Sequence, residues 1–232
     1  IASDNNIIVV EDAAHAFGSF YQGKKTGSFG DITCFSFDPI KTITCGEGGA
    51  VITRDKKIYE SMVRKRILGI DKDTWSRYKN ERSWSYDVIE QGYRYHMGNI
   101  NAAIGLVQMK KFEQMNKRKI YIAKRYDEEF AHMEGISLLR TVYEDLGLFT
   151  YIIKVKNRRD ELMAYLKEKG VGSGIHYIPV HHFTYYKNFL RNPLPVTDRV
   201  YEQILTLPLY PDMTDEETDL VMKEVQSFFS KN

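Results

Sequence analysis

The sequence lacks an excess of charge of either sign: 33 Lys and Arg stand against 31 Asp and Glu, a net charge of +2 in 232 residues. Nucleic-acid binders carry a clustered basic excess, so no nucleic-acid partner is expected. Long apolar runs are also missing. No stretch reaches the roughly 18 apolar residues of a membrane-spanning helix, and no membrane partner is expected. Cysteine is scarce. Cys34 and Cys45 are too few for a disulfide framework and have no neighbouring ligands at zinc spacing, so no metal site is expected. Reduced thiols imply the cytoplasm. There is neither an initiator Met nor a signal peptide with a basic start and an apolar middle. Ile1 to Asn6 reads as a helix end and a turn into a strand, so the chain is expected to begin inside a larger fold.

What is present is ordinary globular composition, 43% hydrophobic and 28% charged. Ile7-Ile8-Val9-Val10 has no polar face, the pattern of a strand buried on both sides in a parallel sheet. Ile32 to Phe37 predicts a second strand. Gly46-Glu47-Gly48-Gly49 predicts a tight loop, and Ala50 to Thr53 a third strand. Lys56 to Leu68 and Asn99 to Phe130 have helical spacing, with Ile100, Ala103, Ile104, Val107 and Phe112 as the expected buried face of the longer helix. Between them, Gly69 to Gly98 is a long connection rich in Tyr, Trp and charge, and long loops in compact domains are often functional. Leu148 to Val155 predicts a strand, Arg158 to Lys169 a helix and Val171 to Tyr177 another strand. Met213 to Phe229 predicts a closing helix, with Thr214 as N-cap and Glu217 three residues on. This last pattern reads as a small α+β domain beginning near Gly135.

Asp12, Ser36 and Lys41 follow the first two strands, where open α/β sheets place ligands. Each alone is weak: a lysine after a strand is usually solvated surface, and an aspartate there is usually a turn residue. Together they supply an amine, a carboxylate and a hydroxyl. Those are the groups that hold the aldehyde, the pyridine nitrogen and the phosphate of pyridoxal phosphate.

The local wording is more specific. Val9-Val10-Glu11-Asp12-Ala13-Ala14-His15-Ala16-Phe17-Gly18 is followed by Gly27-Ser28-Phe29-Gly30-Asp31. Then come Cys34-Phe35-Ser36-Phe37-Asp38-Pro39-Ile40-Lys41 and Gly46-Glu47-Gly48-Gly49-Ala50. With Gly92 to Gly105, Ile175 to His181 and Leu207-Pro208-Leu209, this resembles the DegT/DnrJ/EryC1/StrS sugar aminotransferases over essentially the whole chain. The resemblance implies an α/β fold of type I: part of a mostly parallel mixed sheet flanked by helices, plus a small C-terminal α+β domain. Residues 1–134 are then the C-terminal portion of the large pyridoxal-phosphate-binding domain with its connecting helix, and residues 135–232 the small domain. It also implies that Lys41 is the Schiff-base lysine and Asp12 the partner of the pyridine nitrogen. His15 then lies near the ring and its phenolic oxygen, and Ser36 binds phosphate. Tyr93 to His96 resembles a loop that crosses a homodimer interface to the partner's cofactor phosphate or substrate. His176, Tyr177 and His181 resemble a substrate-side segment, which packing of a strand turn explains equally well.

Two departures stand out. Many members have Asn and Arg where this chain has Arg94 and His96, which leaves open which of the two meets phosphate. Members also carry a further N-terminal segment, so this chain reads as part of a longer protein. The implied reaction moves an amino group from an amino acid, commonly glutamate, to a nucleotide-linked keto sugar for surface polysaccharide or glycoconjugates. Lys41 speaks against the dehydratase branch, where histidine replaces it. A non-catalytic fragment or regulatory homologue, or another fold type I enzyme, are the competing readings.

Overall fold

In this computed structural model, residues 1–71, 86–189 and 191–230 are described. The chain forms two compact units, Ile1–Phe112 with Asp145–Gly147, and Glu113–Glu144 with Leu148–Asn232. The division falls inside the long helix, between Phe112 and Glu113. No helix among the described residues is long and apolar enough to cross a membrane.

The first unit contains β1 (Val10–Asp12), β2 (Phe20–Tyr21), β3 (Lys24–Lys25), β4 (Ile32–Ser36), β5 (Gly49–Thr53) and α1 (Lys56–Lys65). It also holds the first half of α2 (Asn99–Phe130). β1 runs parallel to β4, with Asp12 opposite Cys34. β5 pairs antiparallel on the other side of β4, with Ser36 opposite Gly49. Strand period buries Thr33 and Phe35 on alternate positions of β4. Phe17 meets Phe35, Phe37 and Phe112 edge-on at 5.7, 5.7 and 5.3 Å, a favoured aromatic geometry. Gly18 makes that cluster possible: its φ is +79°, and a Cβ there would lie 2.0 Å from the Phe112 ring. Asp55 caps α1, accepting from the Lys57 and Ile58 amides at 2.7 and 3.1 Å.

Two expectations of burial need correction. The strand begins only at Val10, and Ile7, Ile8 and Val10 are 58, 64 and 61% exposed. β1 is the edge of a three-stranded sheet, so its apolar side chains are uncovered among the described residues. On α2, Ile100, Ala103, Ile104 and Val107 are exposed and Phe112 is half-buried. The buried face of α2 lies instead at Lys119, Ile122, Ala123, Tyr126 and Phe130, in the second unit.

That unit adds β6 (Ile136–Leu138), β7 (Tyr151–Val155), α3 (Arg159–Glu168), α4 (Pro195–Gln203), β8 (Ile204–Leu207) and α5 (Asp215–Ser230). Its sheet is antiparallel, in the order β6-β7-β8. Tyr151, Ile153 and Val155 alternate inward, and Leu162, Leu166, Val221 and Val225 complete the core. The capping box at α5 is present: Thr214 N–H donates to Glu217 Oε2 at 2.8 Å, and Glu217 N–H to Thr214 Oγ1 at 3.1 Å. The strand expected over Val171 to Tyr177 shrinks to a single bridge between Gly174 and Thr206. Val171 is still tied to the end of α3, its N–H donating to the Leu166 carbonyl at 2.9 Å after Gly170 at φ +75°. Too little extended chain is left for a ladder.

Candidate active site

The parallel register of β1 and β4 sends their C-terminal ends the same way, which brings Asp12 and Ser36 to one edge of the sheet. Beyond β1 the chain turns at once. Ala13 N–H donates to the Cys34 carbonyl at 2.9 Å, Ala14 N–H to Asp12 Oδ1 at 3.1 Å, and Ala16 N–H to the Ala13 carbonyl at 2.9 Å. His15 rides on this turn.

Beyond β4, Asp38-Pro39-Ile40-Lys41 forms a second turn. Lys41 N–H donates to the Asp38 carbonyl at 3.0 Å and Ile40 N–H to Asp38 Oδ1 at 3.0 Å, with proline at the position whose φ suits it. The chain then returns: Cys45 N–H donates to the Phe37 carbonyl, and Phe37 N–H to the Gly48 carbonyl, both at 2.9 Å. Asn101 in the first turn of α2 donates to the Cys45 carbonyl at 2.7 Å. Gly48 is needed here, since a Cβ would meet Cys45 Sγ at 2.5 Å and Met97 Cε at 2.6 Å. Cys45 is fully buried, and that burial raises its thiol above its ordinary pKa, the environment of a packing cysteine.

The two turns meet at Lys41 and His15, with Nζ 2.8 Å from Nε2. Lys41 is partly exposed, while His15 and Asp12 are exposed. The donor set fits pyridoxal phosphate. An amine is held against an imidazole, a carboxylate stands on the same turn as that imidazole, and a hydroxyl ends the neighbouring strand.

Tyr93 to His96 occupy another part of the same unit, strapped to the end of α1. Tyr93 N–H donates to the Lys65 carbonyl at 2.6 Å, Leu68 N–H to the Tyr93 carbonyl at 3.0 Å, and Tyr95 N–H to the Arg66 carbonyl at 2.9 Å. Glu90 anchors the strap on Arg64 at 2.7 Å, and that hydrogen bond holds its carboxyl below the usual range. Tyr93 and Tyr95 stack with centroids 5.0 Å apart, and Arg94 and His96 are exposed. Residues 72–85 of the long connection lie outside the described residues.

His176, Tyr177 and His181 lie in the second unit. His176 Nδ1 is 2.8 Å from Thr206 Oγ1, and the His176 and Tyr177 rings meet edge-on at 4.7 Å. His181 Nε2 is 2.7 Å from Asp198 Oδ1, and His182 Nε2 reaches the same oxygen at 2.9 Å. The His181 hydrogen bond, then that of His182, holds the Asp198 carboxyl below its ordinary pKa. His182 and Asp198 were not singled out in the sequence, where 16 residues separate them and no local pattern joins them.

The fold and the Lys41 turn define a class, the fold type I pyridoxal-phosphate enzymes. Solved structures of that class include the putative sugar aminotransferase Spr1654 from Streptococcus pneumoniae in its PMP form. It is 30% identical with a TM-score of 0.88, over 97% of this chain and 59% of that one. The model of the DegT/DnrJ/EryC1/StrS aminotransferase family matches residues 1–226, and the chain belongs to that family. The family consists of pyridoxal-phosphate-dependent aminotransferases. Among its relatives, the uncharacterized protein MJ1066 of Methanocaldococcus jannaschii is 41% identical over 100% of this chain and 62% of its own length. The spore coat polysaccharide biosynthesis protein SpsC of Bacillus subtilis is 34% identical over 97% of this chain and 61% of its own. The chain thus spans about three fifths of the length of these relatives.

Proposed function

We propose that this chain carries the catalytic lysine and small domain of an aminotransferase. That enzyme moves an amino group from an amino acid, glutamate by preference, to a nucleotide-linked keto sugar, for surface polysaccharide or glycoconjugate. The observation that carries this reading is the 2.8 Å approach of Lys41 Nζ to His15 Nε2 between the turns after two parallel strands. SpsC, named for spore coat polysaccharide biosynthesis, supports the sugar side.

When bound, pyridoxal phosphate supplies an aldehyde that captures amines and a protonated pyridine ring that draws electrons from the α-carbon. Lys41 holds the cofactor through its amine. Once displaced by the donor, that amine would be the base that carries a proton between the donor's α-carbon and the cofactor's former aldehyde carbon, on the other side of the nitrogen. His15 orients the amine. The Asp12 carboxylate would pair with the pyridine nitrogen and keep it protonated. Ser36 donates to phosphate, and Arg94 and His96 add cationic or neutral donors to an anion from the loop that serves a second subunit of a homodimer. Tyr93, His176, Tyr177 and His181 are assigned to the substrate side.

The test is borohydride reduction of the full-length protein with pyridoxal phosphate, followed by peptide mass analysis. The added mass should fall on the peptide containing Lys41 and vanish in Lys41→Ala. Label on another lysine would sink the assignment.

A further inference from the structure

His181, assigned above to the substrate side, forms a cluster with His182 and Asp198, neither of which the transamination chemistry uses. Each offers one ligand atom, and the three atoms lie within 4.8 Å of one another. They come from two segments: the 3-10 turn Val180–His182 and the first turns of α4. The turn is fixed by His182 N–H donating to the Pro179 carbonyl at 2.9 Å. The two imidazoles stand at 81° with centroids 4.5 Å apart, so both Nε2 atoms converge on one carboxylate oxygen. The Tyr201 ring holds His182 edge-on at 5.3 Å. Tyr201 is fixed in turn by Arg159, whose Nη1 donates to the Tyr201 and Ile204 carbonyls at 3.1 Å. One of the two rings, that of His182, is thus packed against a neighbour that is itself held in place.

We propose that His181, His182 and Asp198 bind a divalent transition-metal ion, zinc being the reference case. Two imidazole nitrogens and one carboxylate oxygen suit borderline metals and not calcium or magnesium, which favour all-oxygen shells. Tetrahedral bonds of about 2.0–2.2 Å set ligand atoms roughly 3.3 Å apart. The two His–Asp pairs here are 2.7 and 2.9 Å apart and lengthen by a few tenths of an ångström on binding, while the two imidazole nitrogens, within 4.8 Å of each other, settle at the same spacing. His181 is the inner ligand at 12% exposure, and His182 and Asp198 form the outer rim at 36 and 41%. The rim has room to move and leaves the remaining coordination positions to water. The ion replaces these two hydrogen bonds by a clamp between the turn and α4. The proposal stands apart from the reading of Lys41 and does not depend on it.

The test uses the 232-residue chain, made without a polyhistidine tag, stripped with chelator and titrated with zinc chloride by calorimetry. The expected result is one saturable equivalent per chain and a rise in melting temperature with zinc, since an ion that binds only the folded state stabilises it. His182→Gln and Asp198→Asn should each weaken binding roughly tenfold or more and remove the thermal shift. His132→Gln, an exposed histidine elsewhere, should change neither. Circular dichroism of the metal-free variants separates lost ligation from lost folding. Cobalt(II) should give visible absorption in the parent chain that both cluster variants lose. Absence of a saturable site, or zinc affinity unchanged in folded His182→Gln and Asp198→Asn, overturns the proposal.

Discussion

Lys41 takes its meaning from its neighbour. A lysine on an open turn samples many rotamers, but here Nζ is 2.8 Å from His15 Nε2, so the two strand-end turns are coupled through their side chains. If His15 orients the amine, His15→Ala should leave cofactor attachment in place and lower kcat in the full-length enzyme by about a hundredfold, the scale of a misplaced reacting group. His15→Gln, which keeps a hydrogen-bonding group, should recover much of the loss. Equal activity in His15→Ala and the parent, measured as single-turnover amino transfer, would discard this role. The placement of Asp12, Ser36 and Lys41 at strand ends and turns was legible in the sequence because these are written locally: a β-branched run, then turn-forming residues, then the polar group. The His181, His182 and Asp198 cluster was not legible. It depends on where a short 3-10 turn meets a helix start, and only the fold supplies that.

At the scale of elements, α2 shows how a period is readable while its partner is not. Helical spacing was evident across Asn99 to Phe130, yet the expected burial fell on the wrong half, because covering a face is a non-local event. The half that is covered carries unusual electrostatics. Lys119 is buried and donates to the Leu148 carbonyl, and burial lowers its pKa from 10.5 to about 8. On β7 and in the turn before it, Tyr151 and Tyr143 both donate to Asp127, at 2.8 and 2.6 Å. Burial, then that hydrogen bond, pushes both phenols far above their ordinary value of 10.0. The two effects have opposite signs. Between about pH 8 and 10.5 the unfolded chain binds the Lys119 proton more often than the folded chain does, so stability rises with pH there. Above about pH 10 the folded chain keeps phenolic protons that the unfolded chain loses, so stability falls. Urea denaturation at about pH 7.5 and pH 9.5 should show the parent gaining on Lys119→Met, on the order of 1–3 kcal/mol. A parallel response of the two proteins would remove Lys119 from the account. The α5 cap offers a simpler check. Thr214→Ala loses the hydroxyl that accepts from Glu217 N–H, and should cost about 1 kcal/mol in the same measurement.

At the scale of the molecule, the balanced charge and the uncovered apolar surface act together. A net charge of +2 gives little repulsion between copies. Ile100, Leu106, Val107 and Met109 on the first half of α2 are 80, 62, 50 and 51% exposed, and Ile104 is 45% exposed. Ile7 and Ile8 just before β1, and Val10 at its start, add to this surface beside an edge strand. Single exposed apolar residues are ordinary, but a run of them on one helix marks a surface that binds something. This chain spans about three fifths of its relatives' length, and the rest of such a protein and the proposed homodimer would both offer cover for such surfaces. In a preparation of these 232 residues alone, of 27.1 kDa, cover comes where copies meet. Sedimentation velocity at tens of micromolar should therefore find species heavier than one chain. Replacing Ile104 and Val107 together by Glu should shift the distribution toward the monomer, because each carboxylate would lose hydration on burial. The exposed position of both residues in the folded chain means the substitutions should leave the melting temperature nearly unchanged. A parent chain that sediments as a 27.1 kDa monomer would show that this face is tolerated in water as it stands. Its apolar composition would then reflect something other than an interface.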